Sequence, residues 1–290
     1  MNNRLVGFYT IVCVIGLALI WVGGITLSSS IQIGSRVALP ALAFDARGGD
    51  TARGKHFVDS VLACTECHGA DLAGAPVIKG GIGRVYAPNL TPGGVGLKLT
   101  DADFDRAIRH GVAPDGTRLF FMPSQAYSAL SDADLRDVVA YLRTLPAVDR
   151  STPPREFGFG GRMLAVTHNL PAGADRIDHS TVHPASEPPS AGAAYGKYLA
   201  RISGCYQCHG PDLGGGHFEG PSDVPRAPNI SPSAIGSWSL AQFGAALRDG
   251  RDPSGRKLNP FMPWHAYAGL NDDEVAALYA FLKTVPPITY

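Results

Sequence analysis

The sequence contains one five-residue motif twice. Residues 64–68 read Cys-Thr-Glu-Cys-His, and residues 205–209 read Cys-Tyr-Gln-Cys-His. Both have the form Cys-x-x-Cys-His, which is the attachment motif for c-type haem. Two thiols on one turn can add to the two vinyl groups of a porphyrin, and the adjacent imidazole can bind the iron.

Two other kinds of site also use paired cysteines. A redox dithiol does not need the trailing histidine, and a zinc site needs four ligands close together, whereas these pairs lie 141 residues apart. The motifs use Cys64, Cys67, Cys205 and Cys208, which are four of the five cysteines. The sequence therefore predicts two covalently bound haem c groups.

The motifs belong to an internal repeat. The segment 87–92 (Ala-Pro-Asn-Leu-Thr-Pro) matches 227–232 (Ala-Pro-Asn-Ile-Ser-Pro), and Phe-Met-Pro occurs at both 121–123 and 261–263. Matched residues are offset by 139 to 142 positions throughout. Repeats of about 100 residues are duplicated domains rather than solenoid units.

Each copy is predicted to be mostly helical. A first helix, at 51–63 and again at 192–204, leads into the motif, and a loop rich in glycine and proline follows it. Ser, Thr or Asn followed three residues later by an acid or Gln predicts the starts of a middle and a last helix. These capping residues are Thr100, Ser131, Ser239 and Asn271.

The iron needs a second axial ligand in addition to His68 or His209. Met122 lies 54 residues after the first histidine and Met262 lies 53 residues after the second, each between Phe and Pro. A methionine that fills a gap in the core is the alternative. The matched position in both copies favours ligation.

Other histidines are weaker candidates for this position. His110 has Asp249 at its position in the second copy, and the linker residues His168, His179 and His183 are too loosely spaced for a metal site. These linker histidines remain possible ligands from outside a domain. Methionine and histidine together raise the haem potential and fill both axial positions, which favours electron exchange over bond chemistry.

Several polar residues are candidates for the haem pocket. Asn89 and Asn229 are predicted to shape the loop that closes one side of the haem. Arg84, Arg226 and Trp238 are predicted to donate hydrogen bonds to haem propionates, because a buried carboxylate needs donors. A surface or packing role is the alternative for each of them.

An apolar segment near the N-terminus predicts a membrane anchor. Residues 5–27 contain no charged side chain, and this run is long enough to span a bilayer. The alternative is a cleaved signal peptide, whose apolar core is shorter and is followed closely by a small-x-small site. Here Ala41-Leu42-Ala43 lies well beyond the run.

The location and the partners follow from these features. Since c-type haem is attached outside the cytoplasmic membrane, we expect the haem domains on the periplasmic side of a bacterial cytoplasmic membrane. The formal net charge is zero, which gives no reason to expect a nucleic-acid partner.

The predicted organisation has four parts. Residues 1–43 form the anchor and a stalk, 44–150 the first domain, 151–190 a proline-rich linker and 191–290 the second domain. The prolines favour a stiff strap over a floppy tether, and residues 161–169 are expected to form a short helix that packs on a haem domain.

Each copy resembles a class I cytochrome c in its first helix, attachment motif, distal Met-Pro and final helix. The whole is similar to membrane-anchored dihaem cytochromes, including cytochrome subunits of bacterial membrane dehydrogenases and respiratory complexes. The resemblance covers residues 45–150 and 190–290, and it implies a mainly α fold of two tandem cytochrome c domains. It also implies covalent haem on the cysteines, a proximal histidine and a distal methionine. Trihaem dehydrogenase subunits have a third attachment motif, which this chain lacks.

The expected function is relay of single electrons between other redox proteins, within a larger membrane complex. Two alternatives stay open. One is a dihaem enzyme, such as a peroxidase or a thiosulfate-oxidising cytochrome, which requires an exchangeable or histidine-based distal site. The other is a purely structural or assembly subunit.

Overall fold

A long helix opens the chain in the computed structural model, which describes residues 3–216 and 226–289. Helix α1 (Asn3–Gly34) contains the segment Val6–Gly34, whose mean hydropathy reaches 2.4 and whose side chains are mostly exposed. Its length and composition are sufficient to cross a membrane, as those of an anchor and of a signal sequence both are.

The first haem domain is mainly helical. In chain order its elements are α2 (Thr51–His56), a π-helical continuation (Phe57–Val61), α3 (Cys64–His68), β1 (Ala75–Gly80), β2 (Gly83–Ala87), α4 (Asp101–His110), α5 (Ser124–Tyr127) and α6 (Asp132–Arg143). The predicted caps are present: Thr100 forms a reciprocal capping box with Asp103, and the Ser131 side chain accepts from the Asp134 N–H.

The second domain repeats the order of the main helices and has one additional short helix. Its elements are α8 (Ala193–Ile202), α9 (Cys205–His209), α10 (Pro232–Ile235), α11 (Leu240–Arg248), α12 (Trp264–Tyr267) and α13 (Asp272–Leu282). Ser239 with Gln242, and Asn271 with Glu274, form the predicted capping boxes at the starts of α11 and α13.

In each domain the first and last helices cross at a glycine. A Cβ atom added to Gly54 in α2 would lie 1.9 Å from the Asp137 carbonyl oxygen of α6. One added to Gly196 in α8 would lie 1.8 Å from the Ala277 carbonyl oxygen of α13. Because these gaps are far below van der Waals contact, the two helices approach this closely only without a side chain there.

Part of the segment predicted as a loop is a β-hairpin, so that prediction was wrong for residues 75–87. Strands β1 and β2 pair antiparallel, with a bulge between Pro76 and Ile78. A third strand, β3 (Glu156–Phe157), comes from the linker and pairs with β2. The β-branched residues Val77, Ile78 and Val85 favour strands, but the glycines around them are typical of a loop.

The linker contains secondary structure of its own and packs against α1 and the first domain. It contains β3, helix α7 (Phe159–Val166) and a short 3₁₀ turn at Gly173–Arg176. The expected short helix is therefore present. Its main partner is α1, and it also touches β2 of the first domain and the linker strand β3.

The two haem domains pack against each other through matched contacts. His56 Nε2 lies 2.8 and 2.9 Å from the carboxylate oxygens of Glu274 in the other domain. Tyr198, the counterpart of His56 in the repeat, donates its hydroxyl to Asp134, the counterpart of Glu274. The first helix of each domain thus reaches the last helix of the other, which gives the pair approximate two-fold symmetry.

Candidate haem sites

Each attachment motif forms a short helix that begins with a left-handed residue. Ala63 has a φ of 51° before the first motif, and Gly204 has a φ of 79° before the second. The kink turns the chain from the first helix of the domain into the motif. The four motif cysteines are partly buried.

Burial raises the pKa of the motif thiols. It is the largest cause in each case, and it raises the pKa of Cys64 and of Cys205 to about 12, with a smaller contribution from the neighbouring cysteine of each motif. A reactive redox dithiol needs a lowered pKa, because the thiolate is the attacking species. These surroundings therefore argue against a redox dithiol and are compatible with an uncharged thioether.

Both motif imidazoles are held in the same way. His68 Nδ1 lies 2.9 Å from the Pro88 carbonyl oxygen, and His209 Nδ1 lies 2.8 Å from that of Pro228. A carbonyl can only accept, so Nδ1 carries the proton and Nε2 keeps a free lone pair. Burial lowers the pKa of both histidines, which favours the neutral ring that an iron ion requires.

The two asparagines organise the loops that present these carbonyls. Asn89 donates to the carbonyl oxygens of Val148 and Arg150, and its own oxygen accepts from the Thr91 N–H. Asn229 makes the matching contacts with the Ile288 carbonyl and the Ser231 N–H. Each asparagine therefore holds the loop segment next to the proline carbonyl that accepts from the motif histidine.

A cavity of about 340 Å³ lies between the first motif and the loop that carries Met122. Cys64, Cys67, His68 and Met122 all line it. Its remaining wall consists largely of apolar side chains, among them Val85, Leu99, Phe104, Ile108, Leu119 and Leu142. Such a wall suits the faces of a porphyrin ring.

A tyrosine fixes the methionine loop over the motif in each domain. The Tyr127 hydroxyl donates to the Leu62 carbonyl oxygen at 2.6 Å, just before the first motif. The Tyr267 hydroxyl donates to the Ser203 carbonyl oxygen at the same distance, just before the second. These bonds tie α5 and α12, which follow the two methionines, to the ends of the first helices.

Arg155 is a cavity residue that sequence reasoning missed. Its guanidinium donates to the Arg118 carbonyl oxygen and lies 5.0 Å from the Phe120 ring centroid. Burial lowers its pKa, against the opposing effect of Asp115. A half-buried cation in an apolar wall fits a carboxylate, such as a porphyrin propionate. The linker has no counterpart in the repeat, so no sequence signal pointed to this residue.

The three predicted propionate donors differ in their surroundings, and Arg84 does not line the first cavity. Arg84 is exposed on β2 and pairs with Glu156 of β3. Arg226 is exposed, and Trp238 packs against the core of the second domain, where its carbonyl oxygen accepts from Tyr279.

The second site repeats the first as far as the structure describes it. Met262 and Cys205 both pack against the core of their domain. Gly216 pairs with Ala227 as Ala75 pairs with Ala87 in the first domain. Residues 217–225, which correspond to the hairpin that walls the first cavity, lie outside the described residues.

Two linker histidines contact the first domain away from the cavity. His179 Nδ1 lies 3.0 Å from His110 Nδ1, and the His183 ring lies 6.1 Å from the His110 ring. None of these three lines the haem cavity, nor does His168. Within residues 3–216 and 226–289, no group of three or more His, Cys, Asp or Glu could hold a metal ion.

Two family matches agree with the repeat. Residues 49–142 match the family described as cytochrome c oxidase, cbb3-type, subunit III, and residues 193–286 match the cytochrome c family. A diheme cytochrome c-type protein of Cereibacter sphaeroides is 29% identical, over 94% of this chain and 97% of its own length.

Dehydrogenase subunits are similar over part of their length. The cytochrome c subunit of alcohol dehydrogenase (quinone) of Gluconacetobacter polyoxogenes is 29% identical over 79% of this chain. The cytochrome c subunit of gluconate 2-dehydrogenase of Pantoea cypripedii is 26% identical over 86% of it. The alignments span only 54% and 63% of those two relatives.

Proposed function

We propose, from the premise that this chain is a dihaem c-type cytochrome with two cytochrome c domains, that it relays electrons within a membrane-bound dehydrogenase complex. Electron transfer as a subunit of a redox complex is the function of this class of chain. We further propose which residues ligate the two irons, how electrons pass between the two domains, on which side of the membrane the domains lie, and which kind of protein is the partner.

We assign His68 and Met122 to the first iron, and His209 and Met262 to the second. The free Nε2 of each histidine and the apolar wall around Met122 support this assignment. Haem c, when bound, supplies a one-electron Fe(III)/Fe(II) couple. The protein's residues hold the group covalently, exclude water from it, and offer Arg155 to a carboxylate at the first site.

The contact between the domains is the observation that carries the relay. In the amide orientation that its neighbours favour, Gln207 of the second motif accepts from the Ala126 N–H at 3.0 Å. Ala126 lies four residues after Met122, so the attachment segment of one domain touches the methionine segment of the other. This direct packing supports electron exchange between the two sites without a diffusing carrier.

The anchor and the partners are inferred from α1 and from the relatives. We place α1 in a bacterial cytoplasmic membrane as an uncleaved anchor, with both haem domains on the periplasmic side. The related cytochrome subunits are named as subunits of dehydrogenases, one of them alcohol dehydrogenase (quinone). We therefore expect a dehydrogenase subunit as the electron donor and a membrane-associated acceptor.

Spectroscopy of the purified full-length protein tests this function. We expect two haems per chain by pyridine haemochrome, and the near-infrared band of methionine-ligated ferric haem from both sites. Met122→His and Met262→His should each lower one of two potentials and leave the other unchanged. If cyanide or carbon monoxide binds to one haem of the unmodified protein, an enzyme with an exchangeable distal ligand would be favoured instead.

A further inference from the structure

The linker helix α7 is attached to α1 through a partly buried polar contact. Arg162 Nη1 lies 3.1 Å from Ser29 Oγ and 3.0 Å from Ser30 Oγ, and it also reaches the Thr26 carbonyl oxygen. Ser29 is completely buried beneath it. These three oxygen acceptors lie on one face of α1 and hold the Arg162 guanidinium beside residues 26–30.

An aromatic pair lies on the other side of this contact. The rings of Trp21 in α1 and Phe159 in α7 have centroids 6.0 Å apart. Both side chains are more than half exposed, at 57% and 55%. Trp21 precedes Thr26 by five residues, or about 7.5 Å along the helix axis. The aromatic level is therefore nearer the apolar middle of α1, and the arginine level is nearer its polar end.

The same helix is clamped to the first haem domain. A Cβ atom on Gly161 would lie 2.3 Å from the Ile82 carbonyl oxygen, and one on Gly160 would lie 2.8 Å from that of Gly81. The tip of the β1–β2 hairpin thus rests directly on the backbone of α7. Because α7 contacts both α1 and the hairpin, it fixes the first domain relative to the anchor.

We propose that α7 and residues 21–30 of α1 form a membrane-interface foot, which lies in the headgroup layer of the bilayer. Phe159 and Trp21 face the acyl chains, as aromatic residues do at membrane boundaries, and Arg162 lies at the headgroup level. The exposed apolar surface of α1 runs directly into the exposed aromatic pair, so the lipid surface covers both. The inference rests on the proposed anchor, and it makes the first haem domain the membrane-proximal one.

Site-directed spin labels test the foot in the full-length haem-loaded protein. The motif cysteines are consumed by haem, so native Cys13, which is exposed within α1, reports on the anchor itself. Cys13→Ala combined with Phe159→Cys reports on the foot. Cys13→Ala combined with Val182→Cys is the matched control, since Val182 is an aliphatic linker residue that is 91% exposed. Each label is reconstituted in vesicles of phosphatidylethanolamine and phosphatidylglycerol.

The measurement compares how often the spin label collides with two relaxing agents. Oxygen concentrates in lipid, whereas a nickel chelate stays in water. We expect the oxygen-to-nickel ratio at position 159 to exceed that at position 182 several-fold and to lie below that at Cys13. A ratio at 159 equal to the control, with Cys13 in lipid, would overturn the foot and leave the anchor intact. A water-exposed label at Cys13 would overturn the anchor and the foot together.

Discussion

Replacing His56 with alanine should weaken the contact between the two haem domains in a pH-dependent way. The His56 ring lies at hydrogen-bond distance from both oxygens of Glu274, whose side chain is 5% exposed. The hydrogen bonds to Glu274 are the largest cause of a raised pKa of His56, and burial opposes them. The imidazole therefore binds its proton more tightly in the folded protein than in the unfolded chain.

The sign of the pH dependence follows from this raised pKa. Stabilisation by the pair is fully present below the unfolded histidine pKa of about 6.5, and it is lost as the pH rises through the higher folded value. A hydrogen bond to a charged group contributes about 1.5–3 kcal/mol, and partial exposure of His56 (29% of its side chain) places this pair at the lower end. Glu274 also keeps its bond to the Asn271 N–H, so the variant does not leave the carboxylate bare.

We expect His56→Ala to lose about 1.5 kcal/mol of unfolding free energy at about pH 5.5 and clearly less at about pH 8.5. Urea unfolding of the full-length protein in detergent, followed by circular dichroism, measures this difference. Tyr198→Phe removes the matched contact to Asp134 and is the control. Burial is the main cause of a pKa of Tyr198 well above the usual tyrosine value, so its loss should be the same at both pH values. An equal loss at both pH values for His56→Ala would refute the reasoning.

Three further changes test the helix crossing, the first cavity and the histidine support. Gly196→Ala should cost about 1–3 kcal/mol of unfolding free energy, because its Cβ meets a backbone carbonyl, whereas Gly244→Ala, with 3.6 Å to its nearest neighbour, should be neutral or slightly stabilising. Unfolding curves of the two variants should therefore separate, and overlapping curves would contradict the crossing. Arg155→Leu should shift one haem potential and leave the other unchanged in a redox titration, because it removes a cation from one cavity only. Asn89→Ala should broaden the electron paramagnetic resonance signal of one ferric haem by loosening the Pro88 carbonyl; an unchanged spectrum would show that Asn89 does not control the His68 orientation.

Local features were predicted well because their causes lie within a few residues. The capping boxes at Thr100, Ser239 and Asn271 involve contacts across three positions, and all three form as expected. The hairpin at residues 75–87 was not predicted because the glycines at 74, 80, 81 and 83 indicate a loop, and the strand β3 that pairs with it comes from the linker about 70 residues later. A short strand of this kind depends on its partner more than on its own propensity.

In the candidate sites, too, residues with a local sequence pattern could be predicted and residues brought in by distant contacts could not. The motif cysteines and histidines could be read from spacing and from their repetition. The proline carbonyls that hold His68 and His209 lie 20 and 19 residues beyond them, within the repeated Ala-Pro-Asn segment, whose sequence does not indicate this contact. Arg155 could not be found, because it is one of three arginines in a proline-rich linker and has no distinguishing pattern.

The sequence by itself determined that the chain has two haem attachment sites, two copies of one helical domain and an apolar N-terminal helix. Those conclusions depend on residue types at fixed short spacings, and duplication makes each of them visible twice. Only the tertiary structure decided that α7 rests on α1 and that the domains pair through His56 with Glu274, 218 residues apart. Contacts of this kind arise from packing between distant surfaces, where a given side chain has many chemically equivalent partners and only the fold selects one.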